Sequence, residues 1–125
     1  MNYTVLHPAT LKLQVFTDEA IAASQNEFGS TASVPPCAKL WAVVSNGGAG
    51  TAVCTLQFQM PDGSWVNVVR NQSTMASLTT PAMAGAGSTE AISLDYPPSG
   101  TYRLGISETG GADPLVINAY IMAAY

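Results

Sequence analysis

The sequence predicts an all-β fold, a single β-sandwich or jelly-roll-like domain of about eight short antiparallel strands. Three observations lead to this fold class. Apolar and polar residues alternate with a period of two in short segments, clusters of Gly, Pro, Asn and Ser separate those segments, and no segment has a convincing pattern for a long helix. A chain of 125 residues is long enough for one packed core, so we expect one domain over residues 1–125.

Each predicted strand is a stretch of alternating residues bounded by turn residues. The clearest lies at 51–60. Its core-facing row consists of Cys54, Leu56, Phe58 and Met60. Its opposite row is neutral and consists of Thr55, Gln57 and Gln59. The full set of predicted strands is 2–7, 10–16, 38–45, 51–60, 65–70, a poorer segment at 75–79, 89–95, 101–107 and 115–124.

The turn after the clearest strand has a simple local explanation. Pro61, Asp62, Gly63 and Ser64 are turn-forming residues between two alternating segments, which is typical of a hairpin. The side chain of Asp62 is expected to accept a hydrogen bond from the backbone of its own turn. This turn is therefore interpreted as structural.

Two other segments need separate treatment. Residues 17–30 fit a helix with Thr17 as N-cap and Asp18 and Glu19 in its first turn, and they fit two short strands around a Ser-Gln-Asn turn equally well. Residues 115–124 are apolar on both faces. A strand of that kind is usually central in its sheet or covered on its outer face, within the domain or at a subunit contact.

The composition favours a protein that works in an assembly. Only 10% of the residues are charged while 47% are apolar, so much of the surface must be small, neutral or apolar. The formal net charge is −4. Nucleic acid is not an expected partner, because the four basic residues are scattered along the sequence rather than clustered. These residues are Lys12, Lys39, Arg70 and Arg103.

The beginning of the sequence alternates and contains Pro8, so it does not resemble a signal peptide, and no apolar run is long enough to cross a membrane. We therefore expect synthesis in a cytoplasm and no membrane partner. Reduced thiols are then the default for Cys37 and Cys54, although their pairing stays open. Together with a single histidine they cannot form a four-ligand zinc site.

No pattern in the sequence predicts catalysis. His7 has no nucleophile motif to accompany it, and the acidic residues show no spacing that singles out a pair. The glycines at 47–50 and 85–87 lack the lysine of a P-loop and the full dinucleotide fingerprint. We predict a non-enzymatic protein with no catalytic, cofactor-binding or metal-binding residues and no cofactor.

Aromatic residues give the one signal for a binding surface. Trp41 is out of phase with the apolar row of its strand and is expected to face outward. Trp41, Trp65, Tyr96 and Tyr102 are compatible with a sugar-binding platform, but ordinary roles in a core or an interface are favoured, because large aromatic residues dominate both. The residues predicted for an interface are Trp41, Thr55, Gln57, Gln59, Tyr120, Met122 and Tyr125.

Three short motifs resemble those of small bacteriophage virion structural proteins. They are the Asp-Gly-Ser-Trp turn at 62–65, the Gly-Thr-Tyr-Arg-Leu strand start at 100–104, and the Thr-Gly-Gly segment that leads to Pro114 before the last strand. Proteins of this kind have paired short strands where residues 20–30 lie, so the resemblance favours strands over a helix at 17–30.

The resemblance implies a capsid decoration (cement) protein with a β-sandwich fold. Its location would be the exterior of the virion capsid, after synthesis in the host cytoplasm. Its partners would be the major capsid protein, further copies of itself in a homo-oligomer such as a trimer, or both. The alternative is a carbohydrate- or receptor-binding module of a head or tail fibre.

Overall fold

The computed structural model describes residues 10–71 and 75–124, and this part of the chain contains twelve strands. Six of them have eight or more residues and form the body of the fold. The strands are β1 (Thr10–Ile21), β2 (Asn26–Phe28), β3 (Ala32–Val34), β4 (Lys39–Asn46), β5 (Thr51–Gln59), β6 (Trp65–Asn67), β7 (Val69–Asn71), β8 (Ala76–Ser77), β9 (Met83–Ala84), β10 (Ser88–Asp95), β11 (Gly100–Glu108) and β12 (Leu115–Ala124).

The strands form two main antiparallel sheets, so the predicted β-sandwich is confirmed. The four-stranded sheet has the order β1-β12-β4-β10. The six-stranded sheet has the order β2-β11-β5-β6, with β3 paired to β11 and β9 paired to β5. A small separate hairpin joins β7 to β8. The predicted strand at 2–7 and the residue His7 lie outside the described residues.

The core lies between the two sheets and is built from one row of each long strand. In β4, β5, β11 and β12 every second residue is buried over most of the strand, as a period-two pattern requires of a sheet with one face in the core. Cys54 and Leu56 are buried as predicted and Phe58 packs at the edge of the core. Met60 is 40% exposed, so its predicted core position is wrong, because β5 ends at Gln59 and Met60 already belongs to the turn.

The ambiguous segment 17–30 is strand and turn, with no helix. Strand β1 continues to Ile21, and β2 begins at Asn26 and pairs with β11. Register shifts in β1 lead to a positive φ of 43° at Asp18. Asn118 of β12 stabilises this irregularity: its Oδ1 accepts from the Asp18 N–H at 2.9 Å and its Nδ2 donates to Asp18 Oδ1 at 3.0 Å.

The strand predicted at 65–70 is interrupted. Strand β6 pairs with β5, whereas β7 pairs with β8 outside the main sheets. Val68 lies between them and is partly buried against the core, with its N–H bound to Leu56 O at 2.9 Å. A segment that looks continuous in the sequence is therefore divided between two partners, β5 and β8.

Strand β12 is central, as its two apolar faces predicted. It lies between β1 and β4 and pairs with both over nearly its full length. Its inner row is fully buried and consists of Leu115, Ile117, Ala119, Ile121 and Ala123.

A buried asparagine organises the turn from β4 to β5. Asn46 Nδ2 donates to Gly50 O at 2.8 Å, while its Oδ1 accepts from Gly48 N–H at 2.9 Å. The turn packs directly against residues 113–116: a Cβ on Gly48 would lie 2.6 Å from Pro114 O. The glycines of this segment therefore permit close packing of two backbone segments.

A buried carboxylate joins three segments at one end of the sandwich. Glu108, the last residue of β11, is 4% exposed. Its Oε1 accepts from the N–H groups of Ser24 (3.1 Å) and Gly111 (2.6 Å), and its Oε2 from those of Thr51 (3.0 Å) and Gly110 (2.8 Å). Burial raises the pKa of Glu108, but these four hydrogen bonds outweigh that effect and hold the pKa at about 2.

Candidate functional site

The predicted interface residues fall on two opposite outer faces of the sandwich. Trp41, Tyr120 and Met122 come together on the outer face of the four-stranded sheet. Thr55, Gln57 and Gln59 lie on the outer face of the six-stranded sheet. Tyr125 lies outside the described residues. The structure therefore divides one predicted interface into two candidate surfaces.

The first surface, which we call the Trp41 face, consists of Trp41, Val43, Tyr120 and Met122. Met122 lies directly opposite Trp41, and Tyr120 opposite Val43, on the neighbouring strands β12 and β4. All four side chains are partly exposed. They form a contiguous apolar group at the centre of the sheet, since cross-strand partners on one face are in contact distance.

Two lysines lie at the margins of the Trp41 face. Lys12 Nζ is 4.9 Å from the ring centroid of Tyr120, and Lys39 Nζ is 5.6 Å from that of Trp41. Lys39 also forms an ion pair with Asp95 at 3.7 Å. At these exposed positions each contact stabilises only weakly. The charges therefore border the apolar group without interrupting it.

The second surface, which we call the Arg103 face, is built around a cation between two rings. The Arg103 guanidinium carbon lies 3.8 Å from the ring centroid of Phe28 on β2 and 4.2 Å from that of Trp65 on β6. Its Nε donates to Gln57 Oε1 on β5 at 2.7 Å. Burial lowers the pKa of Arg103, yet the guanidinium remains charged. Residues from four strands are thus held in one fixed arrangement.

The side-chain amides of Gln57 and Asn67 extend the hydrogen-bond network of Arg103 across the sheet. Gln57 Nε2 donates to Asn67 Oδ1 at 2.9 Å, and Asn67 Nδ2 donates to Ser77 Oγ at 3.3 Å. These bonds fix the orientation of both amides. Counting the bonds among residues 10–71 and 75–124, each amide retains one acceptor lone pair and one N–H. Both amides can therefore bind a further polar group without losing the bonds that orient them.

A cleft of about 180 Å³ opens on the Arg103 face. Phe28 forms one wall and is 53% exposed. Its ring lies over Gly105, where a Cβ would be 3.1 Å from the ring, so the glycine allows the ring to lie close to the sheet. The residues that line the cleft are Asn26, Glu27, Phe28, Thr55, Gln57, Asn67, Gly105, Ile106 and Ser107.

The platform of four aromatic residues considered from the sequence does not form. Tyr102 is fully buried, and Tyr96 is 81% exposed beyond the end of β10. Trp41 faces outward as predicted but lies on the opposite sheet from Trp65. A platform of all four residues would need neighbouring positions on one face, and the fold places each of them in a different environment.

Phe28 and Arg103 were not among the residues predicted for an interface, although the sequence gives some indication of their positions. Arg103 is out of phase with the buried Tyr102 and Leu104, so it had to face outward. Phe28 lies in the segment 17–30, whose structure the periodicity did not decide. Their contact depends on the pairing of β2 with β11, and sequence alone does not give strand order.

Both cysteines are free thiols. Burial raises the pKa of Cys54 to about 12, while Cys37 is partly exposed. Among residues 10–71 and 75–124 there is no cluster of three His, Cys, Asp or Glu side chains that would suit a metal ion. The same residues include no helix with the length and apolar character that a membrane span requires.

No family profile and no curated sequence matches the chain. Solved structures do. YomS, a protein derived from the SPBc2 prophage, aligns over 98% of this chain and 100% of its own, with a TM-score of 0.60 and 11% identity. The PBSX exported protein XepA aligns over 94% of this chain and 39% of its own, with a TM-score of 0.55 and 19% identity.

A carbohydrate-binding domain shares the architecture as well. The CBM36-1 domain of a multidomain xylanase, from the hindgut metagenome of Trinervitermes trinervoides, aligns over 94% of this chain and 98% of its own. The TM-score is 0.51 and the identity 10%. At such identities the likeness concerns the fold alone. It confirms, at the level of the fold, the similarity to small phage proteins that the sequence motifs indicated.

Proposed function

We propose that the chain is a non-enzymatic structural protein of a phage particle, a capsid decoration protein that docks on the outside of the head through the Trp41 face. The observation that carries this proposal is the apolar group of Trp41, Val43, Tyr120 and Met122 at the centre of an outer sheet face. Contiguous apolar patches on an otherwise polar surface mark interaction sites, and Trp, Tyr and Met are enriched at them.

The low charge of the chain supports docking of this kind. With 10% charged residues, a sheet face can be covered by a partner at little cost in desolvated charge. The charged side chains next to the Trp41 face lie at its margin, where they stay hydrated in an interface rim. The partner that fits is a flat, neutral surface such as that of an assembled coat.

Repetition over a shell makes a modest interface sufficient. Many copies of one contact, with neighbouring copies of this chain touching each other in a homo-oligomer such as a trimer, give avidity without a strong single interface. Because binding favours the assembled head by mass action, the particle is stabilised. The shared fold with the prophage-derived YomS supports a phage setting for this role.

The particle itself gives the first measurement. A decoration protein is expected as an abundant band of about 12.9 kDa on a gel of purified particles, at a copy number close to that of the coat protein. A band at only a few copies per particle would favour a fibre or an appendage. Absence of the chain from purified particles would refute the proposal.

Substitutions at matched positions test the docking face. Val43→Asp places a charge at the centre of the Trp41 face, whereas Thr55→Asp places it on the opposite sheet; both positions lie on a central strand, β4 or β5. In co-sedimentation with particles stripped of this chain, we expect Val43→Asp to bind at least about tenfold more weakly and Thr55→Asp to bind like the wild type. Equal binding by both variants would show that the Trp41 face is not the docking surface.

A further inference from the structure

We infer that the Arg103 face is a second, separate binding site, and that its cleft takes one ring of a neutral carbohydrate. This inference goes beyond the proposed attachment to a capsid and does not depend on it. It rests on the exposed ring of Phe28, the oriented amides of Gln57 and Asn67, and the distribution of charge around the cleft.

Phe28 supplies a stacking surface. More than half of its side chain is exposed, although one face of its ring is covered by Arg103 at 3.8 Å. Aromatic rings are preferred where an apolar body must contact a partly polar ligand. The C–H groups on one face of a sugar ring are a partner of that kind. The cation fixes the ring beforehand, so little side-chain entropy is lost on binding.

Gln57 and Asn67 supply directional hydrogen bonds. Each has a free acceptor lone pair and a free N–H after its bonds within the sheet. A sugar hydroxyl both donates and accepts, so each amide matches the two functions of one hydroxyl group. Thr55 and Ser107 add hydroxyl groups to the lining of the cleft.

The charges favour a neutral ligand. Glu27 is part of the lining, but it pairs with the inward-facing Ile106 while Phe28 pairs with Gly105, so by alternation its carboxylate projects away from the row that carries Phe28. Arg103 would repel a cation, but its guanidinium lies between two rings and beside Gln57 rather than in the lining of the cleft. Because neither charge enters the cleft and the other lining groups are neutral, the cleft suits an uncharged polyhydroxylated ring.

The test fills the cleft without touching the core. Ser107→Trp places a large side chain in the lining, on the outward row of β11. Ser93→Trp is the matched control, since Ser93 lies on the outward row of β10 opposite Trp41. Phe28→Ala is the second variant and removes the stacking ring instead of filling the cleft. Thermal unfolding of each variant checks that it is folded.

Native gels cast with galactan, mannan, xylan or dextran provide neutral probes, and a gel with polygalacturonate provides an acidic one. We expect retardation of the wild type in at least one neutral gel and an affinity at least about tenfold lower for Ser107→Trp and for Phe28→Ala. Ser93→Trp should migrate like the wild type.

Several results would overturn the inference. They are no retardation in any neutral gel, stronger retardation in polygalacturonate, undiminished retardation of folded Ser107→Trp, or an equal loss in Ser93→Trp. The two proposals fail separately: Val43→Asp should still be retarded in the neutral gel, and Ser107→Trp should still bind particles.

Discussion

Glu108 is a buried acid whose partners are amides rather than a cation. A buried carboxylate is strongly unfavourable unless its charge is compensated, and here four backbone N–H groups provide the compensation. These groups belong to the β1–β2 turn, the start of β5 and the β11–β12 turn. One side chain therefore holds three chain segments together.

Stability should fall in acid through this residue. The pKa of Glu108 in the folded protein is about 2, below its ordinary value of 4.5. Its contribution is therefore complete above about pH 4.5 and is lost as the pH falls towards 2. We expect Glu108→Gln to lower the urea midpoint at pH 7, because the amide NH₂ would face two N–H donors. The difference in urea midpoint between the wild type and this variant should become smaller between pH 4.5 and 2.5.

Glu27→Gln is the control for that measurement, since Glu27 is exposed and makes none of these contacts. It should keep the wild-type midpoint at every pH. A gap between wild type and Glu108→Gln that stays constant from pH 7 to 2.5 would contradict the role given to the ionised carboxylate.

Tyr102 is a second residue whose polar atom matters in a buried setting. Its hydroxyl donates to Pro98 O at 2.6 Å, and its ring packs edge-on against Phe58 at 5.0 Å. Burial, with a smaller effect of Cys37, raises the pKa of Tyr102 to about 12, so the hydroxyl remains a donor. We expect Tyr102→Phe to lower the free energy of unfolding by about 1 kcal/mol in urea titrations.

Tyr96→Phe provides the comparison, because Tyr96 is 81% exposed. It should change the free energy of unfolding by less than about 0.5 kcal/mol. Equal effects of the two substitutions would mean that the bond to Pro98 contributes no stability.

At the scale of elements, the turn between β4 and β5 shows why neighbouring glycines are not equivalent. A Cβ on Gly48 would lie 2.6 Å from Pro114 O and 2.7 Å from Val116 N, whereas a Cβ on Gly47 would have only Val116 O near it, at 3.9 Å. We expect Gly48→Ala to destabilise the protein by about 3 kcal/mol. Gly47→Ala should change the stability by less than about 0.5 kcal/mol.

Chemical unfolding of both variants, compared with the wild type, measures this difference. If Gly48→Ala and Gly47→Ala are equally stable, the packing of this turn against residues 113–116 does not require a glycine. If both variants unfold at a lower denaturant concentration than the wild type, close approach to residues 113–116 does not distinguish the two glycines.

Local patterns predicted the long strands and the β5–β6 turn well. Asp62 Oδ1 accepts from the Ser64 N–H at 2.9 Å, as expected for a turn residue, and the hydrogen bonds from Ser64, that of its hydroxyl first, lower the pKa of Asp62. Two features escaped prediction because tertiary packing decides them. These are the break at Val68 and the short strands β3 and β9, which exist only through pairing with β11 and β5.

At the scale of the whole molecule, alternation shows which residues face outward but not which sheet they face outward from. Trp41 and Gln57 were predicted correctly as outward-facing, yet they lie on opposite sides of the sandwich. Similarly, Glu108 is in phase with the buried Tyr102 and Leu104, so its burial could be predicted from the sequence. The four N–H groups that bind its carboxylate could not be predicted. The strand order decides on which sheet an outward-facing residue lies and which groups surround Glu108. That order depends on contacts between distant parts of the chain.

The order of the four-stranded sheet has a consequence for how the chain folds. Strand β12 is the inner partner of both β1 and β4, yet it follows them in the sequence by most of the length of the chain, with Thr10 paired to Ala124. Pairing of these strands requires closure of a long loop, and the entropy of that closure is lost before the contacts stabilise the sheet. Folding of this sheet is therefore slow. The β5–β6 hairpin can form early and β4 can pair with β10, whereas β1 has no partner in its sheet until β12 is present. The sheet that carries the Trp41 face is therefore incomplete, and lacks Tyr120 and Met122, until β12 has been added.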